Sequence, residues 1–504
     1  MPGQFRESNA LDLNQIETIA FLEAEASHGA PVTRIDTSCA SVFLAGDRAY
    51  KIKRPVDLGY LDFTTLASRE RACAAELALN RAMAPELYLG IAHVTRAADG
   101  RLSLDGPGER LEPVVVMRRF ADDALASRAL AEGRIDRTMI AGLGHHLARY
   151  HRTCAQPPQP RQPVSERLEQ CLPPIQALAE IMPAARIASL FDLMRQAAQA
   201  ADPMVEARPD WWRRGHGDLH LGNICLMAGR LLPFDALEFD DRLATGDQLY
   251  DLAFLIMDLR RLGRGDLALA LLDAYGPIGP GGGGILPVFV ALRALIRAFV
   301  AHNTWKTGGR RGPPPTDSIA AFLAEAEACL PAPAPRVVAV GGLSGTGKST
   351  LARALAPLVP PVPGALHLRS DVIRKTLAGV GETERLPAEA YAPGSSEAVY
   401  AAMMTAARQA LAEGRSVILD AVFARPAERE AAASLPAAFT GIWLEAPLDL
   451  RQARIADRRN DASDATPAVA AAQETLATGA IDWHRLTAGG DREALAARAE
   501  ALLA

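Results

Sequence analysis

The chain has 504 residues, about half of them apolar, a formal net charge of −5 and only 5% aromatic residues, which allows about two to four domains with real cores and argues against a protein that coats nucleic acid. The N-terminal MPGQFRESNALDLNQ has no apolar signal core, and the most apolar runs are broken by Asp251 and Asp258 or by Arg293 and Arg297, so no transmembrane helix is expected. Six scattered cysteines without a C-x-x-C pair read as reduced thiols, and the whole as a soluble cytoplasmic protein.

In chain order, SVFLAG and AYKIKR predict two strands joined at Gly46-Asp47, SRERACAAELALNRAM a helix, and EPVVVMRRF a buried strand leading to a connector. Helix follows from about Ile135 to Tyr150 and beyond. Near Gly215 a loop precedes a strand pair in NICLMAGRLLPFDALEF, after which helix returns, with GPGGGG (Gly279 to Gly284) read as a loop between two helices. Pro/Gly-rich stretches from Gly308 to Asp317 and from Pro331 to Pro335 flank a short helical pattern and read as a linker, which places a domain boundary near Pro333. Beyond it, VVAVGG, STLARALAPL, ALHLRS, EAVYAAMMTAARQALAEG, SVILDAVF and GIWLEA alternate between strand and helix until two strands close the run. That alternation predicts a parallel sheet with crossover helices.

Gly342-Leu-Ser344-Gly345-Thr346-Gly347-Lys348-Ser349, followed by Thr350, fits G-x-x-x-x-G-K-[ST] between a strand and a helix. Glycines let amides curl around phosphate oxygens at a helix N-terminus, the lysine reaches the β/γ-phosphates, and the Ser349 hydroxyl binds Mg²⁺. Asp371 ends the next strand, where it could take a proton from an acceptor hydroxyl, or else cap the helix that follows. Asp420 ends VILD and could hold the Mg²⁺ shell or contact substrate. Arg454 and Arg458, one helical turn apart, with Arg459 adjoining, could close over the transferring phosphoryl, or else form a solvated basic face. From about Val337 onward the segment resembles small P-loop kinases (gluconate kinase, zeta toxins, the kinase domain of phage polynucleotide kinase) through G-L-S-G-T-G-K-S-T, S-D-V-I-R and R-I-A-D-R-R-N-D-A-S-D-A. The resemblance implies Asp371 as general base, Arg374 as a substrate or phosphate contact and Arg458 as a lid arginine.

His216-Gly-Asp218-Leu-His220-Leu-Gly-Asn223, with Asp235 twelve residues later, is the second signal. One carboxylate orients or deprotonates an acceptor hydroxyl, while an amide and a second carboxylate hold the ions that bridge ATP phosphates. H-G-D-L-H-L-G-N, F-D-A-L-E-F and G-D-Q-L-Y-D-L-A resemble the aminoglycoside phosphotransferase and choline-kinase superfamily. That implies Asp218 as base, Asn223 and Asp235 as metal ligands, and Asp251 as a brace for the catalytic loop. His216 and His220 are read as loop-stabilising rather than zinc ligands. Lys51 and Lys53 share one strand face; the superfamily pattern favours Lys53 as the phosphate lysine, with Lys51 possible, and Glu76 over Glu70 as its partner. The strand Val114 to Met117 would lead to a hinge that binds adenine through the backbone.

The whole chain resembles a bacterial fusion of these two kinases. The expected fold is an α+β bilobal protein-kinase-like domain (residues 1–332; N-lobe about 30–120, C-lobe about 121–320), then an α/β P-loop NTPase domain (333–504) with a parallel sheet. The expected function is bifunctional phosphotransfer, with ATP and Mg²⁺ as cofactors and small-molecule hydroxyls as acceptors. Specificity is expected in Arg260 to Trp305 and Thr383 to Tyr400. The alternatives are a regulatory ATP-binding protein, and a nucleic-acid or nucleotide-sugar kinase. The sequence sets no oligomeric state.

Overall fold

The computed structural model describes residues 13–59, 61–157, 160–307, 310–459 and 461–503. Contacts divide the chain into two units, one of Met1–Arg161 and Asp210–Leu255, the other of Gln162–Pro209 and Ile256–Ala504.

The first unit is built on a six-stranded antiparallel sheet in the order Val32–Asp36, Ala40–Ala45, Arg48–Lys53, Glu109–Arg118, Tyr88–Arg96, Leu102–Leu104. Gly46-Asp47 makes the expected turn, with Ala45 facing Arg48 and Gly46 at φ 54°. The strand Tyr88–Arg96 has no clean alternation in sequence because the pairing shifts between Tyr88 and Gly90 and again between Val94 and Thr95, and such irregularities break the period of two. The helix Leu66–Met83 starts at Thr65, whose side chain accepts from the Ser68 amide, and buries Ala72, Cys73, Glu76, Asn80 and Met83. Cys73 joins Ala49, Val115 and Met117 in one apolar cluster. Glu76 is thereby carried, fully buried, toward the middle strands. Further on, Ile224–Met227 and Arg230–Pro233 pair as a hairpin; Ala228 (φ 46°) and Gly229 (φ 74°) form its two-residue turn, both left-handed as a type I′ turn requires.

In the second unit five parallel strands run in the order Leu366–Arg369, Val417–Asp420, Arg336–Gly341, Ala438–Glu445, His484–Thr487. Val337, Ala339 and Leu419 face one core, and Val338, Val340 and Ile418 face the other. A strand covered on both faces must be apolar throughout, as VVAV and VIL are. Helices of the same unit include Ala184–Glu206, Gly265–Tyr275, Gly282–Thr307 and Thr316–Ala328.

GPGGGG is not a loop throughout: Gly282 to Gly284 open the helix Gly282–Thr307. The glycines serve close approach. The Gly283 amide donates to Glu413 O at 2.7 Å, and a Cβ on Gly283 would lie 2.3 Å from Gly414 O. Beside this contact Asp273 pairs with Arg415 at 2.7 Å, and Leu269 enters one face of the parallel sheet's core. The helix Gly282–Thr307 is long and apolar enough to cross a membrane, but 67% of its most apolar stretch is buried in the protein and Arg293 lies buried within it, as in a core helix.

Candidate active sites

In the first unit the loop carrying Asp218 is tied down by Asp251. One Asp251 oxygen accepts from the His216 amide at 2.7 Å and the other from the Gly217 amide at 2.8 Å. The His151 Nε2 lies 3.2 Å from the same carboxylate. Gly215 is required here, because a Cβ would sit 2.6 Å from Asp251 Oδ2. Two amides on one buried carboxylate make a strong, directional anchor. His216 donates from Nε2 to Phe234 O and accepts the Asp218 amide on Nδ1; burial, against the pull of Asp251 and Asp218, lowers its pKa and keeps the ring neutral. His220 accepts the Gly222 amide on Nδ1, which leaves Nε2–H facing Asp218 Oδ2 at 3.4 Å. Both histidines are engaged within the loop.

Asp218 is half-buried, and its Oδ2 accepts from Asn223 Nδ2 at 3.0 Å. Because that amide nitrogen is turned to Asp218, Asn223 offers its oxygen as the donor a hard cation takes. Asp235 is left-handed at φ 61°, an uncommon state for a side chain other than glycine, and its amide donates to the Tyr88 hydroxyl at 3.0 Å. Mg²⁺ in kinases is held by one or two protein oxygens together with nucleotide phosphates. Asn223 and Asp235 fit that arrangement.

Lys51 Nζ meets Glu76 at 2.8 Å and Asp235 at 2.5 Å. Lys53 Nζ meets the other Glu76 oxygen at 2.6 Å and Glu238, and lies 5.5 Å from the Phe63 ring centre. Both lysines pair with Glu76, but Lys51 is the one beside Asp235, while Lys53, the residue the sequence preferred, lies behind it at 1% exposure. Burial would raise the Glu76 pKa, yet the two ammonium groups hold it down at about 2. Glu238 was missed by sequence reasoning, although it stands three residues after Asp235; burial raises its pKa against the pull of Lys53. Glu70 is only half-buried on the same helix. Met117, buried at the end of its strand, pairs with Ala49 and Tyr88.

In the second unit a cleft of about 1080 Å³ is lined by Ser344 to Leu351, Asp371, Arg374, Asp420, Arg454 and Arg458. Gly342, Gly345 and Gly347 are left-handed, at φ 138°, 86° and 99°; a Cβ on Gly345 would lie 2.6 Å from Arg451 O. Lys348 Nζ donates to Leu343 O at 3.1 Å, and burial lowers its pKa to about 8 despite Asp420 and Asp371. Asp420 is buried at the end of its strand, 3.1 Å from His367 Nε2; its pKa is lowered, burial being outweighed by His367, Lys348 and Ser349. Ser349 and Asp420 both line the cleft at the phosphate loop, and a hydroxyl and a carboxylate oxygen are the donor types Mg²⁺ takes in P-loop proteins.

Two placements differ from the sequence expectation. The strand ends at Arg369, so Asp371 is the second residue of the helix Ser370–Leu377 and not the last of a strand; its side chain faces the cleft, and burial raises its pKa against the pull of Arg369, Lys348 and Ser463. Arg458 lies beyond the end of the helix Leu448–Ala456, so it does not share a helical face with Arg454. Arg454 is turned to the backbone, donating to Thr346 O at 3.2 Å and Ala488 O at 2.7 Å. Arg374 donates to Ala390 O at 2.6 Å and stacks on Tyr391 at 4.7 Å. Tyr391, Ser396 and Tyr400, from the segment expected to set specificity, line the same cleft. Two residues escaped the sequence reading. Gln473 Oε1 accepts the Ser344 amide at 2.7 Å, and Arg369 sits among Asp371, Asp420 and Asp461.

Among known proteins, a family model described as a phosphotransferase enzyme family matches residues 61–286, and one described as an AAA domain matches residues 337–478. Uncharacterized proteins of Mycobacterium tuberculosis and Mycobacterium bovis are each 34% identical over 487 residues, covering 91% of this chain and 92% of theirs. Among solved structures, a choline/ethanolamine kinase family protein from Mesorhizobium loti is similar at 18% identity, over 63% of this chain and 94% of that one, with a TM-score of 0.42. A gluconokinase from Sinorhizobium meliloti is similar at 19% identity, over 34% of this chain and 91% of that one, with a TM-score of 0.24.

Proposed function

The chain belongs to the same family as the two mycobacterial proteins and is a kinase, and we propose that it is a tandem phosphotransferase in which each of two sites moves the γ-phosphoryl group of ATP to a small-molecule hydroxyl. The observation that carries this reading is that each site gathers its own carboxylate, oxygen pair and lysine. These are Asp218, Asn223, Asp235 and Lys51 in the first unit, and Asp371, Ser349, Asp420 and Lys348 in the second.

Asp218 and Asp371 each accept the proton of the attacking hydroxyl. As the new O–P bond forms, the bond from the γ-phosphorus to the β–γ bridging oxygen breaks and ADP leaves. Lys51, held by Glu76, and Lys348, at the phosphate loop, meet the charge on the phosphate oxygens. Mg²⁺, when bound, supplies the remaining neutralisation. Asp251 fixes the loop that aims Asp218. Arg374 and Arg458 line the cleft of the second site, where they can meet acceptor and phosphate charge.

The test is ADP formation from Mg-ATP in the presence of a small-metabolite extract, for wild type, Asp218→Ala and Lys348→Ala. Each substitution is expected to remove part of the turnover. If neither changes it, the enzymatic reading is lost, and nucleotide binding without transfer takes its place.

A further inference from the structure

The segment N-D-A-S-D-A was part of the motif that marks the second site, but neither the phosphate loop nor the cleft arginines account for it. We propose that Asp461 to Asp464 form a latch that sets the position of Asp371, with Arg369 and Ser463 as positioning residues of the second site. The proposal rests on the reading of Asp371 as the base of that site.

Three side chains of the segment reach the strand that ends just before Asp371 or the helix that carries it. Asp461 Oδ1 accepts from Arg369 Nη2 at 2.6 Å and from the Ser463 amide at 2.9 Å. The Ser463 side chain lines the cleft together with Asp371 and favours the ionised form of its carboxylate. Asp464 Oδ2 accepts from Lys375 Nζ at 2.8 Å, the Tyr391 hydroxyl at 2.6 Å and the Leu386 amide at 3.1 Å. Arg369 and Lys375 are both buried, at 7% and 1% exposure. A buried cation needs an anion, and here the segment provides one for each, on either side of Asp371 in sequence. Arg369 does more than hold Asp461. Its Nη2 stands 3.8 Å from Asp371 Oδ2, and its Nε stands 3.8 Å from Asp420 Oδ2 without a hydrogen bond of its own. One guanidinium therefore faces the base, the metal-side carboxylate and the latch together. If the segment moves away, Asp371 loses the polar neighbour Ser463 and Arg369 loses its closest anion.

The groups facing Asp371 are Arg369 on its strand, Lys348 on the phosphate-loop helix, Asp420 on the neighbouring strand, Ser463 in the latch and Tyr391 across the cleft. Arg369 and Ser463 favour the ionised carboxylate, and burial and Asp420 oppose it. Removing Arg369 therefore raises the pH at which the base becomes available.

The experiment uses the full chain carrying Asp218→Ala and follows ADP release from Mg-ATP, with water as acceptor, against pH. Arg369→Gln is expected to slow release roughly 10- to 100-fold and to move the acid limb up by about one pH unit. Mg-ATP affinity is expected to stay within about threefold. Arg369→Lys should recover most of the rate, and Ser463→Ala should move the same limb by less. A slowed Arg369→Gln enzyme with an unmoved acid limb, no rescue by lysine, or a parallel loss of Mg-ATP affinity overturns the proposal. Asp371→Asn separates the two levels. If it abolishes release while Arg369→Gln changes neither rate nor limb, the base stands and the latch falls. If it leaves release intact, the base assignment fails and the latch with it.

Discussion

Replacing each of the two strand lysines in turn should give opposite results. Lys53 is 1% exposed and pairs with Glu76 and Glu238, both buried. Lys53→Met removes the cation and leaves Glu238 buried without it, while Glu76 keeps Lys51. Breaking a buried pair by removing one partner costs about 3–5 kcal/mol, so the melting transition of this variant should fall markedly. Lys51 is 12% exposed and shares Glu76 with Lys53, and its other partner, Asp235, is 43% exposed. Solvent and Lys53 compensate both carboxylates, so Lys51→Met should cost only about 1 kcal/mol. Its ATP turnover should nonetheless fall by roughly 100-fold or more, since one charge aimed at the phosphates is lost. The assay is thermal unfolding together with ATP turnover on a metabolite extract, in a Lys348→Ala background that silences the second site. The reasoning is refuted if Lys53→Met keeps its melting point and loses turnover while Lys51→Met keeps turnover.

Lys348 should report ligand binding through protons. Its pKa, lowered to about 8 by burial, leaves it largely neutral at pH 9, and phosphate oxygens restore its charge, so Mg-ATP binding at pH 9 should take up close to one proton. At pH 7, where it is already charged, uptake should vanish; calorimetry of a Lys51→Met protein in two buffers of different ionisation enthalpy measures this. Asp251→Ala orphans the His216 and Gly217 amides, at about 1–3 kcal/mol each, and should lower first-site turnover more than it weakens nucleotide binding, as kcat against KM will show. Gly283→Ala puts a methyl 2.3 Å from Gly414 O, whereas Gly284→Ala meets only the flexible Met204 Sδ at 3.2 Å. The first should destabilise by about 1–3 kcal/mol and the second by much less, read from thermal unfolding.

The two motifs were legible because each is a short run whose chemistry fixes its residues: Gly345, Gly347 and Lys348 in one loop, and Asp218 and Asn223 in the other. Lys51 and Lys53 could not be separated by periodicity, because they lie two residues apart on one strand face. What separates them is depth, set by Asp235 and Glu238 from a segment 184 and 185 residues away. Arg369 was invisible for the same reason, since its closest partner, Asp461, lies 92 residues on. The strand Tyr88–Arg96 was hidden by its register shifts, and the glycines at 282–284 looked like a loop because close backbone approach and turn formation ask for the same residue.

The central claim, two separate transfer sites in one chain, is tested most directly by the products. Wild type, Asp218→Ala, Lys348→Ala and the double variant are each given Mg-ATP carrying a γ-phosphoryl isotope label and the same metabolite extract, and labelled phosphate esters are identified by mass spectrometry. The account predicts that each single variant loses a different subset of the labelled esters and the double variant loses all of them. Labelled esters that persist in the double variant, or a single variant whose ester profile matches wild type, would contradict it.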